Sequence, residues 1–289
     1  MSDDPFVTHR SLLFTVAYEM LGSAADAEDV VQESWLRWAT VDRAEIRDAR
    51  AYLVRIVTRQ ALNRLRTLAR QREEYVGEWL PEPLLTSPDV AEDVELAESV
   101  SIAMLTVLET LGPAERAVFV LREVFDMPYD EIAEAVGKTP AAVRQIARRA
   151  RSHVAARRPR MEVTRTEQQE VVERFMAALT SGNVQSLMDV LAPEVVLITD
   201  GGGRVAATKK PITGADKVAA FLAALKQLAP DAVAGPMWLN GGPAVRVDQS
   251  GAPDTAVSLT IANGRITGIY AIRNPAKLGR LETVAELRR

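Results

Sequence analysis

The chain of 289 residues contains no cysteine, so disulfide frameworks, thiolate nucleophiles and thiolate metal sites are all excluded. Histidine is almost missing as well. His9 and His153 are the only two, and neither has a second histidine or spaced carboxylates beside it to complete a metal site. The region after residue 165 has none, which removes the commonest general base from that half of the molecule. No catalytic residue, metal or cofactor is therefore expected. Apolar runs of about 20 residues are absent too, so no membrane span or secretory leader is expected and the protein reads as cytoplasmic.

What charge there is has been sorted along the chain. The net charge of -4 argues, as a total, against a phosphate-rich partner. Locally the picture reverses: Arg47 to Arg72 holds eight arginines and one acid, and Arg144 to Arg160 is purely basic. Between them, Glu78 to Glu109 carries acids and no base. The local distribution, and not the total, therefore decides whether a nucleic-acid partner is open to this chain.

The hydrophobic pattern divides the chain further. Helical spacing runs from about Phe6 to Glu74, breaks at Trp79-Leu80-Pro81-Glu82-Pro83-Leu84, and resumes from Val94 to about Arg158. Stops and restarts fall at Gly112-Pro113, Met127-Pro128 and Gly137-Lys138-Thr139-Pro140. Beyond Pro159 the pattern mixes helices with β-branched runs, and Asn263-Gly264 marks a tight hairpin between Thr255 to Ile261 and Ile266 to Ile272. The expected fold class is multidomain: two all-α units followed by an α+β domain. The expected boundaries are 1–75, a linker at 76–95, 96–160 and 165–289.

A helix-turn-helix is the sharpest motif. Tyr129 to Val136 makes a short amphipathic helix closed by Gly137, and Thr139-Pro140 supplies an N-cap and a first-turn proline for the next helix. On that second helix Val143, Ile146, Ala147, Ala150 and Val154 form an apolar stripe. Arg144, Gln145, Arg148, Arg149, Arg151 and Ser152 lie away from it, with Thr139 at the helix start, a set suited to phosphates and to base edges in a major groove.

In the first unit, Asp26-Ala27-Glu28-Asp29-Val30-Val31-Gln32-Glu33-Ser34-Trp35-Leu36-Arg37 directs Ala27, Val31, Ser34 and Trp38 inward and presents Asp26, Asp29, Gln32, Glu33 and Leu36 outward. This stretch closely resembles the motif by which extracytoplasmic-function sigma factors grip the coiled coil of the largest RNA polymerase subunit. Ala49 to Arg66 is similar to the family's helix that opens and reads the promoter -10 element, with Tyr52 where tryptophan is commoner. The resemblance implies that Arg55, Arg59, Asn63, Arg64 and Arg66 contact the -10 strand, and the helix-turn-helix is similar to the family's -35 reader. Ile146-Ala147 departs from the commoner Arg-Leu there, so a base preference does not transfer. In such proteins the two helical units straddle about two turns of DNA, and Glu78 to Glu98 would thread the polymerase cleft between them. The partners so implied are core RNA polymerase and promoter DNA with its -35 and -10 elements.

The C-terminal part resembles SnoaL-like cone domains, and three short motifs resemble the sigma subgroup that carries one. They are Trp79 to Leu84, the loop Asp200-Gly201-Gly202-Gly203-Arg204, and Asn274-Pro275-Ala276-Lys277-Leu278, where Ala276 replaces the usual aspartate. That resemblance implies regulation in cis, with Trp79, Asp200, Gly201, Gly202, Gly203, Arg204, Asn274 and Lys277 as the intramolecular contacts. A small-molecule ligand for the cone is a further partner it allows. Two other readings stay open on sequence alone: a dimeric or ligand-sensing helix-turn-helix regulator, and a small-molecule enzyme fused to a DNA-binding module.

Overall fold

The computed structural model describes residues 4–158 and 164–289. The expected boundary between the second helical unit and the C-terminal domain, with Arg160 at the end of the basic tail, lies outside the described residues.

Three helices open the chain: α1 (Pro5–Leu21), α2 (Ala24–Trp38) and α3 (Ala49–Glu73). Each starts on a side-chain cap, from Asp4, Ser23 and Asp48, which satisfies amide groups that the first helical turn leaves free. Gly22 ends α1 with φ +66, and a side chain there would meet the Trp79 ring 2.9 Å away, so glycine answers both the turn and the close approach. Five helices follow: α4 (Val94–Ser99), α5 (Ile102–Leu108), α6 (Pro113–Phe119), α7 (Tyr129–Val136) and α8 (Pro140–Ala155). A π-helical turn over Val120–Val124 extends α6. Thr139 caps α8 and Gly137 closes α7 in the left-handed region, and the five apolar stripe residues of α8 are all buried.

The sequence suggests two separate helical units, yet α1–α3 and α4–α8 share one apolar core. Leu13, Val16 and Met20 belong to the same buried cluster as Leu105, Leu108, Val118 and Leu121. Periodicity identifies the apolar face of each helix and is silent on whose face it meets.

The C-terminal part consists of α9 (Arg165–Ser181), α10 (Val184–Val190), α11 (Ala215–Leu228) and the short α12 (Pro275–Leu278) around one sheet. Its strands are β1 (Leu191–Asp200), β2 (Ile212–Thr213), β3 (Val233–Leu239), β4 (Gly242–Gln249), β5 (Ala252–Ala262) and β6 (Arg265–Ile272). The order is β2-β1-β6-β5-β4-β3, antiparallel throughout except for the parallel pair β1 and β6. Asn263 and Gly264 both have positive φ, as a two-residue hairpin of this kind requires. One face of the sheet packs on α9, α10 and α11 through Val171, Phe175, Leu187, Val218, Val245 and Ile269. The other face, at Ala244, Ala256 and Ile272, meets Leu80 of the linker and Ile102 of α5. The last residues then run back to the helices, where Leu287 is buried in the helical core and the Arg288 amide donates to Thr15 Oγ1 at 3.0 Å.

Inside the helical body Glu19 of α1 is fully buried. It accepts a hydrogen bond from Ser99 Oγ at 2.8 Å, while its Oε2 has no partner among the described residues. Burial pushes its carboxyl up to about 8, against smaller opposing effects of the Ser99 bond and the Arg116 charge. A carboxyl raised in the folded state favours folding fully below its unfolded value near 4.5, and that contribution is lost as pH rises toward 8. Melting temperature is therefore expected to fall between about pH 4.5 and 8, and Glu19→Gln to remove most of that slope. Thermal melts of both proteins across this range check the expectation; parallel curves would refute it.

Candidate nucleic-acid interface and interdomain junction

The predicted contact residues fall into three groups. On α2, Asp29, Gln32, Glu33 and Leu36 are exposed, Leu36 at 62 %, with Asp26 half-buried beside them. This acidic face is neutralised in part by α3. Arg64 donates to Asp26 Oδ1 at 2.7 Å and to Asp29 Oδ2 at 3.0 Å, and Gln60 donates to Glu33 at 3.0 Å. Arg64, expected on DNA, is thus committed to the acidic face in this state.

On α3, Asn63 and Arg66 are exposed and bonded to each other at 3.2 Å. Arg55 lies over the Tyr52 ring, 5.0 Å from its centroid, and both Arg55 and Arg59 reach α7 of the helix-turn-helix. On α8, Arg144, Gln145, Arg148, Arg149 and Ser152 face solvent, and the Thr139 hydroxyl accepts from the Ala142 amide at 3.2 Å. Arg151 differs from its neighbours. It makes a two-pronged ion pair with Glu123 at 2.8 and 3.1 Å while its side chain stays exposed.

The third group converges on the linker. Trp79 to Leu84 carries one acid, Glu82, and instead of lying open the stretch is largely buried, with Leu80, Glu82 and Leu84 all among the buried residues. Leu80 is gripped through its backbone. Its amide donates to Asp200 Oδ2 at 2.9 Å, and its carbonyl accepts from Lys277 Nζ, which is itself 2.6 Å from Asp200. Asp200 is completely buried and takes two further donors, Tyr75 Oη at 2.6 Å and the Gly202 amide at 3.0 Å. The Asn274 side chain donates to the same Tyr75 oxygen at 2.8 Å and caps α12 through Ala276. Desolvation lowers the Lys277 ammonium from its ordinary value, opposed by Asp200, and burial with the Asp200 carboxylate raises the Tyr75 phenol.

Two cations lie over the Trp79 ring, Arg72 at 4.0 Å and Lys277 at 4.1 Å from its centroid. The glycines of the loop permit the approach. Gly202 has φ +60, and a Cβ on it would meet Asn274 at 2.3 Å and Tyr75 Oη at 3.0 Å. Gly201 is buried, Gly203 lies against Val76, and Arg204 is exposed.

Sequence reading missed two contributors. Glu82 reaches the start of α2, where its carboxylate accepts from the Ala24 and Ala25 amides at 2.7 and 3.2 Å, so the linker caps the helix that bears the acidic face. Asn240, at φ +51 in the β3–β4 turn, is buried in the helical body. It donates to Tyr18 Oη and the Val100 carbonyl, both at 2.7 Å, and accepts from the Leu84 amide at 2.9 Å. Asn240-Gly241 signals a tight turn in the sequence; the destination of its side chain has no local signal.

Comparison with known proteins agrees with this anatomy. Residues 6–71 match the family model for Sigma-70 region 2, and residues 101–154 that for Sigma-70, region 4. The chain is 36% identical to the ECF RNA polymerase sigma factor SigJ of Mycobacterium tuberculosis over 96% of its own length and 93% of the relative's. It is 33% identical to the probable ECF RNA polymerase sigma factor SigI of the same species, over 93% and 92% of the two chains. The crystal structure of M. tuberculosis SigJ superimposes with a TM-score of 0.76 at 34% identity, covering 94% of this chain and 96% of that one.

Two helical units with basic outer faces, one of them a helix-turn-helix, define a DNA-binding protein of the transcription machinery. The chain belongs to the extracytoplasmic-function RNA polymerase sigma factors, and its C-terminal helix-plus-sheet part extends the two helical regions that the family models cover. No described helix is long and apolar enough to cross a membrane.

Proposed function

We propose that this sigma factor works in the cytoplasm as a non-enzymatic initiation factor, its activity set in cis by the C-terminal domain. The division of labour follows the segments 1–75, 76–95, 96–160 and 165–289. Asp26, Asp29, Gln32, Glu33 and Leu36 bind core polymerase. Arg55, Arg59, Asn63, Arg64 and Arg66 hold the opened -10 strand, where positive charge tracks phosphates and hydrogen-bonding side chains read unstacked bases. Thr139 with Arg144, Gln145, Arg148, Arg149, Arg151 and Ser152 reads the -35 duplex.

The observation that carries the regulatory half is the grip of Asp200 and Lys277 on the backbone amide and carbonyl of Leu80. Through it the C-terminal domain holds the segment that joins the two DNA-binding units. That segment also caps α2 through Glu82, so a movement of the cone is transmitted to the polymerase-binding helix as well as to the spacing of the units.

Transcription by purified core polymerase from a GC-rich bacterium, on DNA from upstream of the protein's own gene, tests the reading. Added protein is expected to yield a discrete transcript, and the double charge reversal Asp29→Lys, Glu33→Lys to reduce it more than tenfold with the helical circular dichroism unchanged. A variant transcribing at the unsubstituted level would remove the polymerase-binding assignment. A protein that footprints duplex DNA alone and never supports a transcript would favour a self-sufficient helix-turn-helix regulator.

A further inference from the structure

Besides Arg64, two more of the arginines assigned to the -10 strand are already occupied. Arg55 Nη1 donates to Glu134 Oε2 at 2.7 Å, and Arg59 Nη2 donates to the Glu134 carbonyl at 2.8 Å. Glu134 stands in the last turn of α7, where carbonyls lack intrahelical partners and the helix dipole is negative. One residue of the helix-turn-helix thus offers the basic face of α3 a carboxylate and a dipole-enhanced carbonyl. A nucleic-acid backbone would present that same face with anionic oxygens at close spacing.

We infer that α7 is an internal competitor for the -10 strand, with Glu134 standing in for DNA on Arg55 and Arg59. The inference rests on the reading of α3 as the -10 helix. Geometry supports it independently of charge. Promoter elements about two helical turns apart lie about 70 Å from one another on straight DNA, whereas here α3 touches the helix-turn-helix directly and both share one apolar core. In this arrangement the two readers cannot sit on their two elements together.

The ion pair at the centre of this competition is itself open to solvent, while the shared apolar core supplies the rest of the closed state's stability. The Arg55 side chain is 32% exposed and that of Glu134 65%, and solvent screens pairs of this kind. Binding of the strand and opening of the two units are then one coupled event, and the free chain's affinity is reduced by the fraction that is closed.

Because the chain has no cysteine, dyes can be placed uniquely on Thr8→Cys in α1 and Ala141→Cys in α8, both exposed positions. In single-molecule energy transfer on the full chain, Glu134→Lys is expected to deplete the high-transfer population. The same substitution should tighten binding of a fluorescein-labelled single strand, the non-template -10 segment of a promoter the holoenzyme transcribes, by roughly three- to tenfold. Glu134→Gln should act in the same direction with a smaller effect. The exchange Arg55→Glu with Glu134→Lys should restore high transfer while leaving the strand weakly bound. If Glu134→Lys changes neither transfer nor affinity while Arg55→Ala weakens the strand, the competitor is disproved and the -10 reading stands. If Arg55→Ala and Arg59→Ala leave strand binding intact, the -10 reading itself fails and the inference falls with it.

Discussion

Replacing Asp200 with alanine is expected to detach the C-terminal domain from the helical body without unfolding either. Asp200 is the common acceptor for the Lys277 ammonium, the Tyr75 hydroxyl and the Leu80 and Gly202 amides. Removing it strands a largely buried ammonium, left with the Leu80 carbonyl and the Trp79 and Tyr75 rings and no counter-ion, and three donors besides. Breaking one side of a buried ion pair costs about 3–5 kcal/mol, a large fraction of the stability of any single docking surface. The sheet keeps its own core against α9 to α11, which the substitution does not touch, so the loss should appear as undocking. Calorimetry should resolve the melt into two transitions. Hydrogen exchange should show the Leu80 amide losing protection by about two orders of magnitude, and proteases should gain access to residues 76–93. Lys277→Met, which removes the cation but leaves Asp200 with three donors, should have a smaller effect. A Leu80 amide as protected as before in the alanine variant would mean that apolar contacts at Leu80, Ile102 and Leu281 hold the junction instead.

How far the sequence carries depends on the range of the contact. Thr139, Pro140 and Gly137 encode the helix-turn-helix locally, since caps and turns depend on residues within one helical turn, and α7 and α8 lie where those residues place them. Asn263-Gly264 fixes the β5–β6 hairpin for the same reason. The inward faces of α2 and α8 are legible because burial follows helical period. Glu82 shows the limit. It caps a helix that begins 58 positions earlier, and nothing in Pro81-Glu82-Pro83 separates that role from a solvated acid. Asn240 and Leu287 likewise act on the helical body from far along the chain. The packing of the two helical units on one another through one core is the largest feature of this kind, because each unit presents an ordinary apolar face whether it pairs within itself or with the other. Arg64 and Arg151 are held in ion pairs with Asp26, Asp29 and Glu123, pairings that connect separate helices and so leave no signal in the spacing of residues along any one of them.

Glu109→Ala is expected to be the most damaging single substitution in the helical body. The Glu109 carboxylate bridges Arg72 of α3 and Arg116 of α6, and those two arginines turn their other nitrogens onto the last carbonyls of α1. Arg72 donates to Leu21 at 2.6 Å and Arg116 to Glu19 at 2.9 Å. One acid therefore neutralises two cations that close the end of a helix, and Arg116 is only 1% exposed. Without Glu109 that guanidinium stays buried with no counter-ion, a loss of about 3–5 kcal/mol, which for a body of this size lowers its melting temperature by about 10 °C. Glu109→Gln retains acceptor geometry and loses the charge, so it should fall between alanine and the unsubstituted protein. A melting temperature within a degree of the unsubstituted value would show that the arginines find water or other partners. Arg72 also links this network to the junction, since its guanidinium lies 4.0 Å from the centroid of the Trp79 ring that Lys277 approaches at 4.1 Å. The double substitution Glu109→Ala, Asp200→Ala should consequently cost less than the sum of its parts, because either change alone loosens the shared tryptophan. Strict additivity would mean that helical body and C-terminal domain are held by two independent locks.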